Sequence, residues 1–238
     1  CEMPTNLKKK KAISAHNVEL DSRMGGGLPT GSLTLIEGGS GSGKSVLSQQ
    51  IMWGALQDGF IVSAFSSENS VKSLVTQMKS IDLDIFDFLL MGKFKLYPME
   101  LSHLGEEAVE TLINAMRQEG EMGRDMIVID SFTSAIVHAK SQRTVLHFFE
   151  ECKRLCAKGV TVLVTLHADG VNNDMMGPIR SMCDGHLNLK SAQDGQKLVK
   201  TLEVAKIRGA ASVTGSIFGF DVEPGWGMRV IPISKARG

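Results

Sequence analysis

The sequence predicts an α/β fold with a mostly parallel central sheet, flanked by helices and extended at its C-terminal end by antiparallel strands. Short runs rich in β-branched residues alternate with helical stretches, which is typical of parallel strands joined by crossover helices. A glycine-rich segment lies between the first buried strand and the first long helix. Beyond Ile179, strand-like runs follow one another without a long helix between them, so we expect these to pair mostly antiparallel.

The elements follow in order from hydrophobic periodicity and turn signals. Strands of the parallel part are expected over residues 32–37, 61–66, 94–97, 126–130 and 160–166. Helices are expected over residues 44–57, after a cap at Asn69 or Ser70, and over residues 106–118 and 144–158. Antiparallel strands are expected over residues 185–190, 198–207, 217–222 and 228–233. No repeat or low-complexity linker divides the chain, so residues 12–238 are predicted to form one domain.

Composition limits the classes of partner. The chain has 238 residues with 26 Lys+Arg and 26 Asp+Glu, so its formal net charge is zero. Duplex DNA and anionic membranes are bound largely through clustered cations, so no nucleic-acid partner is expected. Residues 8–11 form the one dense block of charge, within a predicted flexible basic tail over residues 1–11. No apolar run reaches the roughly 18 to 20 residues of a membrane-spanning helix, and the four cysteines lack zinc spacing, which favours a cytosolic protein with reduced thiols.

The segment GGSGSGKS at residues 38–45 matches the phosphate-binding pattern GxxxxGK[ST], between a predicted strand and a predicted helix. Glycines let backbone N–H groups surround a β-phosphate, and the helix N-terminus adds its positive end. Lys44 is expected near the β and γ oxygens, and the Ser45 hydroxyl is expected to bind Mg²⁺. We therefore predict that ATP is bound by Gly38, Gly39, Ser40, Gly41, Ser42, Gly43, Lys44, Ser45 and Val46.

A second metal-holding carboxylate is expected at the end of another strand. Asp130 follows four apolar residues at the end of the predicted strand 126–130, so we predict that it holds Mg²⁺ together with Ser45. The next residue is Ser131 rather than Glu, so the base that orients the attacking water must come from elsewhere.

Glu68 is the candidate for that base, because it follows the predicted strand 61–66 at the same edge of the sheet. Its position fits equally well a carboxylate that stabilises the N-terminus of the next helix. Thr165 and His167 end another strand at this edge, where either would sense a γ-phosphate, although we expect His167 to be an ordinary loop residue.

Together these residues resemble the RecA/KaiC-like ATPase superfamily over residues 13–233. The segment LDSRMGGGLPTGS at residues 20–32 is similar to the loop that precedes the P-loop strand in that family. The position of Glu68 is similar to its catalytic glutamate, although a paired Glu-Glu is replaced here by Ser67-Glu68. VAKIRG at residues 204–209 resembles its K-x-R-G motif. The resemblance implies a catalytic role in trans for Lys206 and Arg208, which would reach the γ-phosphate bound by a neighbouring subunit of a ring.

Within the superfamily, several further segments resemble the accessory ATP-binding proteins of the archaellum, the archaeal flagellum. These segments are residues 67–70, 93–99, 129–133, 179–184 and 220–232. The resemblance implies a cytoplasmic protein at the inner face of the cell membrane, held there by its partners. Those partners are further copies of itself in a hexameric ring, the archaellum motor and secretion ATPase, and the membrane platform protein.

The same resemblance implies that ring assembly depends on nucleotide and regulates the motor, with ATP hydrolysis slow and confined mainly to the oligomer. Two other classes share the P-loop, Asp130 and Glu68. One is a RecA-like, DNA-dependent recombination ATPase, against which the balanced charge argues. The other is a KaiC-type signalling ATPase that phosphorylates itself.

Overall fold

A computed structural model describes residues 10–100, 104–137, 139, 141–171, 173–194, 197–210 and 215–231. A short antiparallel pair, β1 (Ala12–Ile13) and β2 (Leu28–Pro29), precedes the main sheet. The strands of that sheet are β3 (Leu33–Gly38), β4 (Val62–Ser66), β5 (Phe94–Pro98), β6 (Met126–Asp130), β7 (Thr161–His167), β8 (Gly185–Asp194), β9 (Lys197–Ile207), β10 (Ser216–Glu223) and β11 (Gly227–Ile231).

Over the described residues the main sheet has nine strands, in the order β11-β10-β9-β8-β3-β7-β6-β4-β5. The strands from β8 to β5 in that order run parallel. Strands β9, β10 and β11 continue the sheet with antiparallel pairing. The prediction of a mostly parallel sheet with an antiparallel C-terminal extension is therefore confirmed. Of the last predicted strand, residues 232 and 233 lie outside the described residues.

The helices are α1 (Val18–Arg23), α2 (Lys44–Gln57), α3 (Val71–Ser80), α4 (Phe86–Leu90), α5 (Ala108–Glu121), α6 (Thr133–Ile136), α7 (Gln142–Ala157) and α8 (Asn173–Met182). Helices α2, α3, α5 and α7 were predicted, and their observed ends lie within a few residues of the expected ones. The sequence did not predict α8, because Gly177 and Pro178 interrupt its helical pattern. Helices α1, α4 and α6 are too short for their periodicity to stand out.

Two hydrophobic cores lie on opposite faces of the sheet, because successive strand residues point to opposite sides. On one side, Ile36 packs in the core that includes residues of α2 and α3. On the other side, the neighbouring Leu35 packs in the core that includes residues of α5, α7 and α8. Helix α2, which begins at the P-loop, is thus held against one face while α8 covers the other.

Only the end of the predicted basic tail is described, because residues 1–9 lie outside the described part of the chain. The Lys10 Nζ donates a hydrogen bond to Asp58 Oδ1 at 2.5 Å, at the C-terminal end of α2. Within the described ranges, every helix falls short of the length and apolarity that crossing a bilayer requires.

Candidate nucleotide site

The P-loop, residues 38–45, joins β3 to α2 at the carboxyl edge of the parallel strands. Gly43 has a φ of +101° at the N-cap of α2, in the left-handed region that favours glycine. A Cβ there would lie 3.0 Å from the ring of Phe220, and a Cβ at Gly38 would lie 2.5 Å from the carbonyl oxygen of Leu189. The loop therefore needs these glycines both for its path and for its close approach to neighbouring strands.

Lys44 folds back over this loop. Its Nζ donates a hydrogen bond to the Gly39 carbonyl oxygen at 2.7 Å and lies 3.2 Å from Nδ1 of His167. Burial lowers the pKa of Lys44, because removal from water disfavours the charged form. Carboxylates on three different elements oppose this shift: Asp130, Glu68 and Asp169. A polyanion that enters the loop would meet an ammonium group already placed at its base.

Asp130 lies beside Ser45 at the end of β6, as the motif predicts. Its Oδ1 accepts hydrogen bonds from Thr165 Oγ1 at 2.6 Å and from Ser45 Oγ at 3.3 Å. Burial raises the pKa of Asp130, while the two hydrogen bonds lower it and Glu68 raises it further by charge repulsion. A bound cation would compensate the cost of ionising this buried carboxyl group.

The donor set fits Mg²⁺ on chemical grounds. Mg²⁺ prefers hard oxygen ligands, and at phosphate sites it keeps several waters and takes few ligands from the protein. Ser45 Oγ and the Asp130 carboxylate are two such oxygens, 3.3 Å apart. The described residues hold no group of three or more His, Cys, Asp or Glu side chains that would form a cage made by the protein alone.

Glu68 lies near this centre but remains open to solvent. Its carboxylate is about half exposed, at 55%, and Oε1 is 3.7 Å from Nε2 of His167. Ser70 supplies the N-cap of α3, because its side chain accepts a hydrogen bond from the Ser73 N–H. Glu68 is therefore not needed as the capping residue, and its carboxylate lies toward the nucleotide edge.

The expectation that His167 is an ordinary loop residue is wrong. The imidazole lies between Lys44 and Glu68, and the His167 N–H donates to Thr133 Oγ1 at 2.8 Å. Sequence reasoning missed Thr133 and Asp169 at this site. The available signal for Asp169 was its position two residues after β7, where parallel strands end.

Lys206 and Arg208 do not join the P-loop of their own chain. Ile207, which lies between them, pairs with Gly185, and Gly185 pairs with Thr34. Thr34 is four residues before Gly38, so this level of the sheet is about 13 Å from the start of the P-loop. The two cations therefore lie toward the amino edge of the parallel strands, opposite the nucleotide edge.

Contacts hold both cations at that edge. Lys206 Nζ donates to the carbonyl oxygen of Arg180 at 2.9 Å. The backbone N–H of Arg208 donates to the carbonyl oxygen of Asp184 at 2.9 Å. The side-chain Nη1 of Arg208 is 4.0 Å from Asp184 Oδ1. The Arg208 side chain is 62% exposed, which leaves its guanidinium accessible to another molecule.

Comparison with known proteins gives consistent matches. The KaiC ATPase family matches residues 16–235. The archaeal flagellar ATP-binding protein FlaH of Sulfolobus acidocaldarius is 33% identical over 234 residues, which cover 94% of this chain and 99% of that protein. The crystal structure of the flagellar accessory protein FlaH from Methanocaldococcus jannaschii has a TM-score of 0.83 at 26% identity, covering 93% of this chain and 98% of that one. A KaiC-like protein from Pyrococcus horikoshii has a TM-score of 0.76 at 21% identity, covering 95% and 100% of the two chains, a likeness of fold alone.

Proposed function

The chain belongs to the KaiC family of ATPases and, within it, to the archaeal flagellar ATP-binding proteins FlaH, and from this premise we propose that it is an accessory ATP-binding protein of the archaeal motility motor. Residues 12–238 act as the ATP-binding domain. Bound ATP favours a homo-oligomeric ring, with six subunits, that regulates the motor and secretion ATPase. The observation that carries the proposal is the meeting of Lys44, Ser45 and Asp130 at one edge of the sheet.

Each residue of the site has a role that follows from its position. The P-loop backbone and Lys44 bind the phosphates, with the positive end of α2 directed at them. Ser45 and Asp130 would hold Mg²⁺, which would supply positive charge to neutralise the phosphates. Thr165 keeps the Asp130 carboxylate oriented through its 2.6 Å hydrogen bond.

Hydrolysis by a single subunit is expected to be slow. Glu68 is the group placed to orient a water, but its carboxylate is half exposed, and its distance to His167 Nε2 is 3.7 Å. Lys206 and Arg208 lie too far from their own P-loop to act there, which supports a role at the site of a neighbouring subunit. A cation supplied in trans is typically worth about 10³ to 10⁵ in rate, so turnover should depend on assembly.

In this proposal, the partners determine where the protein is located in the cell. The ring stands at the cytoplasmic face of the cell membrane beneath the platform protein. Membrane association in this proposal is peripheral and is provided by those partners. The described site supplies no reason to invoke nucleic acid.

ATP binding tests the site itself. Titration with a fluorescent ATP analogue in the presence of Mg²⁺ should give tight binding to the wild-type protein and severe loss in the Lys44→Ala and Asp130→Ala double variant. Lys72→Ala, which removes an exposed cation of α3, is the matched control and should bind like wild type. Undiminished binding by the double variant would overturn the assignment of the site.

Assembly tests the function. Light scattering should show a larger mass with ATP and Mg²⁺ than without, and turnover per subunit should rise with protein concentration. Both effects should weaken in Lys206→Ala and in Arg208→Ala. A mass that ignores nucleotide at every protein concentration would contradict the proposal. Turnover stimulated by single-stranded DNA would favour the recombination ATPase, and phosphate transferred to the protein, found by mass spectrometry, would favour the signalling ATPase.

A further inference from the structure

Helix α8 connects the nucleotide edge of the sheet to the opposite edge. It follows β7 and a single 3-10 turn, Ala168–Gly170, which carries Asp169 beside Lys44. It leads into β8, which begins at the amino edge next to the start of β3. Ten helical residues span about 15 Å, most of the roughly 20 Å length of the six-residue strand β3.

The side chain of Arg180, in the last turns of α8, holds the strand that leads into the P-loop. Its Nε donates to Glu37 Oε2 at 2.8 Å, and its Nη2 donates to Glu37 Oε1. Glu37 is buried and directly precedes Gly38, the first residue of the P-loop. A bidentate pair of this kind fixes the relative orientation of its two partners as well as their distance.

His186 of β8 completes the cluster. Its Nε2 lies 2.9 Å from Glu37 Oε2, so the carboxylate is shared between α8 and β8. Burial alone would raise the pKa of Glu37, but the hydrogen bonds from His186 and Arg180 and the charge of Arg180 lower it to about 2. Glu37 is thus ionised at neutral pH, although the motif that defines the P-loop does not include it.

The backbone of the same Arg180 holds Lys206. Its carbonyl oxygen accepts the hydrogen bond from Lys206 Nζ at 2.9 Å. One residue therefore contacts the P-loop strand through its side chain and the predicted trans cation through its main chain. Arg208 is held separately, through the main chain and side chain of Asp184.

We propose that Glu37 and Arg180 are positioning residues that couple the P-loop of one subunit to the Lys206 that this subunit presents to its neighbour. The inference rests on the proposed function, because Lys206 acts only across a subunit boundary. The change begins at Lys44, since its Nζ donates to the Gly39 carbonyl oxygen and gains phosphate oxygens as further acceptors when ATP binds. Gly39 is two residues from Glu37, so a shift of the loop at this point reaches Lys206 through Glu37 and Arg180.

A double-mutant cycle on the full chain tests this coupling. The measured quantity is the ATP concentration that gives half-maximal assembly, followed by light scattering. Glu37→Gln should raise this ATP concentration by about tenfold, which is within the usual range of coupling between two sites. Adding Lys206→Met to Glu37→Gln should raise it no further than Lys206→Met alone, because both changes act on one path. Arg208→Met should add its full effect to that of Glu37→Gln.

If Glu37 only stabilised the fold, Glu37→Gln would not be additive with Arg208→Met and at the same time non-additive with Lys206→Met. ATP affinity is measured in parallel with a fluorescent analogue at protein concentrations below assembly, where Glu37→Gln should stay within about twofold of wild type. Glu223→Gln, which removes one charge of a surface pair with Arg229, is the control and should leave assembly unchanged. Arg180→Lys keeps the charge but loses the planar fork, so it should reproduce part of the effect. Arg180→Lys replaces Glu37→Gln in the double-mutant cycle if the Glu37→Gln protein does not fold.

The possible results distinguish a failure of the proposed coupling from a failure of the proposed function. Additive effects of Glu37→Gln and Lys206→Met would overturn the coupling while leaving nucleotide-dependent assembly intact. An equal loss of ATP affinity in the isolated subunit would also overturn it, because Glu37 would then act on the P-loop alone. A wild-type protein that does not assemble with ATP would overturn the proposed function, and the coupling with it.

Discussion

Replacing Glu37 by Gln should destabilise the fold at neutral pH, by an amount that shrinks in acid. The Glu37 carboxylate is buried and accepts hydrogen bonds from the guanidinium of Arg180, with His186 at 2.9 Å. Gln preserves the size of the side chain and removes its charge, so the variant approximates a protein in which Glu37 is permanently protonated.

The size of the effect follows from the pKa of Glu37, which falls from 4.5 to about 2 on folding. One pKa unit corresponds to about 1.36 kcal/mol, so ionised Glu37 stabilises the fold by about 3 kcal/mol at pH 7. Because the folded-state pKa is the lower one, this stability is present in full above about pH 5 and is lost as the pH falls from about 4.5 toward 2. At pH 3.5 about 2 kcal/mol should remain.

Urea unfolding of both proteins without nucleotide, followed by tryptophan fluorescence, gives the two free energies at pH 7 and pH 3.5. Glu223→Gln is the control, since its carboxylate meets Arg229 at 3.3 Å on the surface and such pairs contribute about 1 kcal/mol or less. A loss below about 1 kcal/mol for Glu37→Gln at pH 7, or a loss that does not shrink at pH 3.5, would refute the reasoning.

Three further predictions concern the site and the core. Gly43→Ala should cost about 1 to 2 kcal/mol in thermal unfolding and weaken ATP binding, because its φ is +101° and the new Cβ would lie 3.0 Å from Phe220. Gly59→Ala, with φ +85° and open space around it, should show the backbone cost alone and bind ATP normally, and equal losses of ATP binding would contradict this. Thr165→Val should weaken Mg²⁺-dependent ATP binding by about tenfold, because Asp130 loses its 2.6 Å hydrogen bond, and an unchanged Mg²⁺ titration would argue against that role. Burial raises the pKa of three thiols, so iodoacetamide at pH 8 should leave them unmodified in the native protein and modify them in urea, as peptide mass spectrometry would show. These thiols are Cys152, Cys156 and Cys183.

Local chemistry made the central part of the site predictable. The GGSGSGKS segment needs its own glycines, its own lysine and the helix that follows, and all of these are neighbours in the chain. Asp130 was predictable because an apolar strand that ends in a carboxylate brings that carboxylate to the edge where parallel strands end. Helices α2, α3, α5 and α7 were predictable because their apolar residues recur at helical spacing.

Helix α8 and His167 show where this reasoning fails. Gly177 and Pro178 obscure the helix locally, and its packing against α7 in the shared core overrides their unfavourable propensity. The described contacts of the His167 imidazole, with Lys44 and Glu68, join residues about 100 or more positions apart along the chain, so only the order of the strands brings them together.

The sequence by itself determined the class of fold, the P-loop motif and the carboxylate proposed to hold Mg²⁺, because each depends on residues adjacent in the chain or on the end of one strand. It also named Lys206 and Arg208 through a family resemblance. Only the tertiary structure decided that these two cations lie toward the edge opposite their own P-loop, and that Glu37 and Arg180 link the two edges. The physical reason is that β8 and α8 each pack against β3, which brings Glu37 together with residues some 140 positions later that no local pattern relates to it.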